Sequence, residues 1–276
     1  MLNGDIIEPK YIYRRKTMQL KKTATLFLIL MLVSTFAWAA PLKGMSLNGA
    51  TGLISIPTGR IGWERSADIG IDLGYHAIVD EETVHIPKAS ISLFKIAELG
   101  FAYDTQDDSD NADTILHGKI QLPIKGSSAV AIGGNHQMLQ TAGNDTDLTQ
   151  IYLAATYPGE FFRMPAETTV VVGKSFGDEA PDDAIDFGMG FDLLLFPDIF
   201  QGFVHWINDF ANFSYSADAY GADANFRGVF NSGIRIDLAS IPAFSKFKFA
   251  LDAIMTDALD DNRAFSLGVT FGAPLG

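Results

Sequence analysis

The sequence predicts an all-β fold, a transmembrane up-and-down antiparallel β-barrel of about twelve strands. Three observations carry that expectation. From residue 67 onward, apolar residues alternate with small or polar ones at a period of two, the period of a strand with two unlike faces. The segments between these runs alternate as well, one acidic and the next short, with Pro, Lys or an apolar pair. An export signal precedes both.

The export signal begins at Lys21 and Lys22, continues through the apolar run 23–36, and ends in the small-x-small pattern Ala37-Trp38-Ala39, with cleavage expected before Ala40. Met18 opens an ordinary signal peptide, which leaves residues 1–17 upstream of the true start. Residues 1–39 are therefore set aside as leader. Residues 40–66 form an irregular entry or plug segment, and 67–276 form the barrel. Cysteine is absent, so neither a disulfide framework nor a thiolate metal site is available. A net charge of −13 argues against nucleic acid as a partner.

The first strand, 67–77, is the plainest. Ile69, Ile71, Leu73 and Tyr75 share one face, while Gly70, Asp72, Gly74 and His76 share the other. The next strands are expected at 86–94, 97–103, 114–122, 129–136, 149–157, 168–176, 185–194, 202–208 and 226–238. The eleventh, 246–255, sets Phe247, Phe249, Leu251 and Ala253 against Lys248 and Asp252. The twelfth, 263–272, sets Phe265, Leu267, Val269 and Phe271 against Ala264, Ser266, Gly268 and Thr270. A soluble sandwich or lipocalin-like barrel would alternate too, but runs of about ten residues match the ~9–11 that cross a bilayer at a tilt.

The acidic gaps are 79–83, 104–113, 140–147, 177–183, 208–225 and 256–262. The acid-poor ones are 95–98, 123–128, 158–167, 196–201 and 239–245. In a meander, gaps of odd rank gather at one rim and gaps of even rank at the other, as the outward loops and periplasmic turns of a barrel do. Tyr75, Phe94, Phe101, Tyr103, Tyr157, Phe161, Phe162, Phe176, Phe196, Phe200, Trp206, Phe210 and Phe271 lie at strand ends or beside turns, where aromatic girdles are expected. The alternate apolar residues that close on Phe271 resemble a signal for barrel-assembly machinery.

Catalytic, cofactor and metal residues are not legible. The histidines (His76, His85, His117, His136 and His205) form neither H-x₃-H nor H-E-x-x-H. His117 and His136 can oppose one another on neighbouring strands. Asp186 and Asp192 stand about 20 Å apart along one strand, too far to share acid–base work. For a hydrolase at the outer rim the candidates are Asp186, near the outer loops, and His205, on the neighbouring strand, with nothing in the sequence to fix their register. The acidic gaps fail the EF-hand spacing.

The polar faces put Asp72, Lys119, Asp186, Asp192, Arg235, Asp237, Lys248 and Asp252 in the lumen. Eight strands are filled by side chains and sixteen hold a channel, so about twelve imply a narrow or plugged pore. Candidate plug residues are Gly52, Pro57, Thr58 and Arg60, with 52–60 folded into the lumen or against its periplasmic mouth and Arg60 meeting a lumenal Asp.

Asn48-Gly49-Ala50-Thr51-Gly52-Leu53-Ile54-Ser55-Ile56-Pro57-Thr58, followed by Asp68-Ile69-Gly70-Ile71, resembles the opening of YjbH-type (GfcD-like) proteins. That resemblance implies an outer-membrane protein linked to exopolysaccharide production. The expected function is thus a non-enzymatic outer-membrane barrel in polysaccharide export or assembly, or a narrow pore. The alternatives are a barrel hydrolase acting on lipid or peptide, and a purely structural envelope protein. Expected partners are outer-membrane lipid, barrel-assembly machinery, and a polysaccharide or small polar solute. No cofactor is expected.

Overall fold

The computed structural model describes residues 44–64, 66–79, 83–106, 112–141, 144–177, 185–212, 228–241, 244, 246–261 and 263–275. The expected leader at 1–39, the start of the entry segment and the middles of the first five acidic gaps lie outside the described residues.

Twelve strands run in order: β1 (Ile69–Val79), β2 (Thr83–Leu93), β3 (Ala97–Gln106), β4 (Ala112–Gln121), β5 (Ala129–Thr141) and β6 (Asn144–Phe161), then β7 (Met164–Gly177), β8 (Asp186–Leu194), β9 (Val204–Ala211), β10 (Val229–Asp237), β11 (Lys248–Thr256) and β12 (Ala264–Pro274). Each pairs antiparallel with its neighbours in sequence, and β1 pairs with β12 in the register Leu73↔Phe271, which closes the barrel. Closure pairs the two strands that would otherwise be edges, so backbone groups find partners without water. One rim, here the entry rim, carries the even connections, the start of β1 and the end of β12. The odd connections lie at the other, acidic rim.

Alternation has a direct physical outcome. Leu73 is 55% exposed, whereas its neighbour Asp72 is 1% exposed. The same holds around the ring: Leu99, Phe101, Leu116, Ile132, Leu153 and Phe271 face outward, while Lys119, Arg235 and Asp252 are buried inside. A water-soluble barrel hides apolar residues and shows charge. This one does the reverse, which is the surface that a bilayer requires.

Three boundaries differ from the sequence reading. The strands run further into the acidic gaps, leaving only 80–82, 107–111 and 142–143 between the first three pairs. The expected gap at 158–167 is almost wholly strand, because β6 and β7 meet at a two-residue turn. Phe162 (φ 47°) and Arg163 (φ 66°) occupy its left-handed positions, as do Phe94 (φ 53°) and Lys95 (φ 64°) in the β2–β3 turn. Such turns suit the twist of a hairpin but usually announce themselves as Asn-Gly. The ninth strand is shifted outward to Val204–Ala211, after a single helical turn, α1 (Pro197–Phe200).

Twelve strands enclose more room than their inward side chains fill. Residues 44–64 occupy it. They double back on themselves through isolated bridges Met45↔Thr51 and Gly52↔Pro57, and nearly every residue from Gly44 to Trp63 is buried. Close approach explains two glycines: a Cβ on Gly59 would lie 2.5 Å from the Ala129 carbonyl oxygen, and one on Gly70 2.3 Å from the Trp63 ring.

Candidate functional site

Among the described residues, the inner segment, 44–64, forms hydrogen bonds with β1, β2, β3, β4, β6, β7, β9 and β10. Nearest the entry rim, Arg60 lays its Nε and Nη2 on the Glu167 carboxylate of β7 (2.9 and 2.5 Å). Its Nη1 donates to Glu64 at 2.8 Å, and Nη2 also donates to the Ser127 carbonyl at 2.8 Å. Arg60 therefore meets glutamates, correcting the expected aspartate. Every carboxylate of the predicted set lies on another strand, while Glu167 had been placed in a gap. Trp63 Nε1 donates to Asp72 of β1 (2.9 Å), whose other oxygen takes the Lys248 ammonium of β11 (2.7 Å).

Glu98 of β3 accepts from Thr51 N and Thr51 Oγ1 (both 2.7 Å) and from Gly62 N (3.0 Å). Lys119 of β4 donates to the Thr51 and Thr58 carbonyls (2.7 and 3.2 Å), and Lys88 of β2 to the Ser46 carbonyl (2.7 Å). Arg235 of β10 grips Asp252 through Nε and Nη2 (2.7 and 2.9 Å) and reaches the Gly52 and Leu53 carbonyls (3.2 and 3.3 Å). Gly59 N donates to Thr156 of β6 at 2.9 Å. Of the predicted plug residues, Gly52 and Pro57 form the bridge, and Thr58 bonds back to the Thr51 carbonyl.

The tip of the segment points toward the acidic rim. There Asp209 of β9 accepts from three successive backbone amides, Ile54 (2.9 Å), Ser55 (2.6 Å) and Ile56 (3.1 Å), and from Ser55 Oγ at 3.1 Å. Asn231 of β10 donates to the same carboxylate at 2.8 Å. Around this latch, Leu47, Leu53, Ile54 and Ile56 pack against inward residues including Ile86, Ile115, Val171, Ile207 and Ile254.

All eight predicted lumen residues point inward and are buried. Asp72, Lys119, Arg235, Lys248 and Asp252 surround the inner segment as described. Asp186 instead accepts from Ser175 (2.5 Å) and Gln150 (2.8 Å), and Asp237 caps the 3₁₀ turn Leu238–Ser240 by accepting from Ala239 N. The register sets His205 opposite Leu194, far along β8 from Asp186, and its Nδ1 bonds Asp192 at 2.6 Å, so the two hydrolase candidates Asp186 and His205 do not meet. His117 is not opposed to His136 either: His117 faces inward opposite Asn135, and His136 faces outward and bonds Thr149.

The sequence reading missed Lys88, Glu98, Glu167 and Asp209. Glu98 already lies on the inward parity of the strand expected at 97–103, while Glu167 and Asp209 lie in stretches taken as gaps; extending the alternation two residues at those strand ends puts both on the inward parity. At this level the lining is closed to water, since a wet passage would leave Asp72, Lys119 and Arg235 accessible, and they are at most 2% exposed.

No family model and no curated protein matches the sequence. Among solved structures, the NanC porin gives a TM-score of 0.50 at 8% identity, over 75% of this chain and 100% of that one. The KdgM porin gives 0.48 at 6% identity, over 74% and 99%. The Acinetobacter baumannii outer membrane protein Omp33 gives 0.42 at 9% identity, over 76% and 98%. At such identities the likeness is one of fold alone, that of a closed antiparallel β-barrel.

Proposed function

We propose that this protein is a non-enzymatic outer-membrane pore for polar solutes, closed by its own N-terminal segment and opened when that segment withdraws. The observation that carries the reading is the bonding of residues 44–64. Much of it is ion pairs, amides and carbonyls set against a charged wall, groups that water can replace when the segment leaves. A permanent structural filling has no need of so many exchangeable contacts. The outward apolar surface and the porin-type fold support an outer-membrane location, reached by leader-directed export and barrel-assembly machinery.

We place the solute among surface polysaccharides or small polar molecules. Support for the polysaccharide link is the resemblance of 48–58 to YjbH-type proteins, and those same residues build the turn and tip of the inner segment.

Planar-bilayer recording tests the pore reading. The full-length mature protein is expected to be silent or to open rarely, and the protein lacking residues 44–64 to conduct steadily. A folded barrel without the segment that still fails to conduct would make the protein a structural envelope component.

A further inference from the structure

The charges that the described strands turn inward are unequal. Four are lysine or arginine: Lys88, Lys119, Arg235 and Lys248. Three of these already face wall carboxylates, Lys119 with Glu98, Arg235 with Asp252 and Lys248 with Asp72. Glu167 is matched only by Arg60, which belongs to the inner segment and leaves with it.

Beyond these, the walls turn six more carboxylates inward: Asp104, Asp113, Asp186, Asp192, Asp209 and Asp237. Asp113 accepts from Gln137, Asp186 from Ser175 and Gln150, and Asp209 from backbone amides and Asn231, while Asp192 meets His205. Ten inward carboxylates thus stand against four inward cations among the described strands. Arg60 and Glu64 cancel, so withdrawal of the segment does not change this balance.

A second observation points the same way. Asp104 Oδ2 and Asn135 Oδ1 are buried acceptors without a hydrogen-bond partner. Both lie on inward faces, on β3 and β5. Each is an oxygen that lacks a donor. Beyond Asn135, on the side away from β3, Asn135 donates to Gln150, and Gln150 to Asp186, a run of side-chain amides and carboxylates suited to hydroxyl groups. A low-dielectric wall of one sign concentrates ions of the opposite sign and repels its own.

We infer that the pathway opened by withdrawal of residues 44–64 selects cations and donor-rich neutral solutes, such as uncharged oligosaccharides, and turns away polyanions. This rests on the pore reading above and deepens it.

The test is reversal potential in a KCl gradient, measured on the variant lacking 44–64. Full-length Asp209→Ala and Arg60→Ala serve as openers if the deletion fails to assemble. Potassium is expected to be favoured over chloride by about tenfold, with the ratio falling when Asp104 and Asp113 are both changed to Asn. A neutral maltooligosaccharide should interrupt the current and an oligouronate should not. A ratio near unity, a chloride preference, or interruption by the oligouronate would overturn the inference and leave the pore standing. Absence of current in every variant, with the barrel shown folded by its heat-shifted electrophoretic mobility, would overturn the pore reading and the inference with it.

Discussion

Residues 53–56 and residues 60–64 belong to one short segment, yet they are held by opposite means. The tip is seated by Leu53, Ile54 and Ile56 in an apolar layer, with one carboxylate, Asp209, gathering its amides. The base is held by charge: Arg60 on Glu167 and Glu64, and Trp63 on Asp72 beside Lys248. Burying each aliphatic side chain of the tip contributes about 1.5–3 kcal/mol, and water offers nothing in exchange. The charged contacts of the base stabilise less than their Coulomb attraction suggests, because water at the entry rim solvates the same groups once they part. The segment is therefore built to loosen from the entry rim and to release its tip last.

The largest expected effect comes from attacking the tip. Ile54→Asp sets a second carboxylate beside Asp209 inside the apolar layer, at a cost of about 4 kcal/mol or more. At ~1.4 kcal/mol per tenfold, open probability in bilayer recordings should rise by more than two orders of magnitude. Asp209→Ala comes next. It leaves three buried amides unpaired, each a loss of about 1–3 kcal/mol, part of which water recovers at the acidic rim. Opening by about a hundredfold is expected. If Asp209→Ala leaves the current unchanged, the tip is held by packing alone.

Arg60→Ala should have a smaller effect, about tenfold, because Glu167 regains water as the base frays. Arg60→Lys should recover part of it but not all, since lysine cannot reproduce the two-point grip on Glu167. The smallest effect is that of salt. Raising ionic strength from 0.1 to 1 M shortens the screening length from about 10 to about 3 Å. Wild-type opening should rise a fewfold, while Arg60→Ala should lose most of this dependence. Equal salt responses in the two would remove the distinction between base and tip.

Strand number, order and facing were readable because a period of two leaves little choice: once Leu73 faces out, Asp72 must face in. The even turns were harder. Nothing in Phe162-Arg163 or Phe94-Lys95 marks a tight hairpin, since bulky residues rarely take the left-handed conformation and here the closed sheet imposes it. Assigning 158–167 to a gap on account of its two prolines then hid Glu167, and with it the partner of Arg60. The inner segment was recognisable as irregular, but its contacts were not, because they join residues far apart in sequence, such as Ser55 with Asp209 and Gly52 with Arg235. No periodicity encodes such pairs.

The absence of cysteine makes the central claim directly measurable, because any thiol introduced is the only one present. Ala102 points into the lumen and is wholly buried, whereas its neighbour Phe101 points outward. In purified protein in bilayers, Ala102→Cys should resist a small charged methanethiosulfonate reagent in the full-length chain and be modified rapidly once residues 44–64 are removed. Rapid modification of Ala102→Cys in the intact protein would contradict the account, since the lumen would then stand open to water with its inner segment in place.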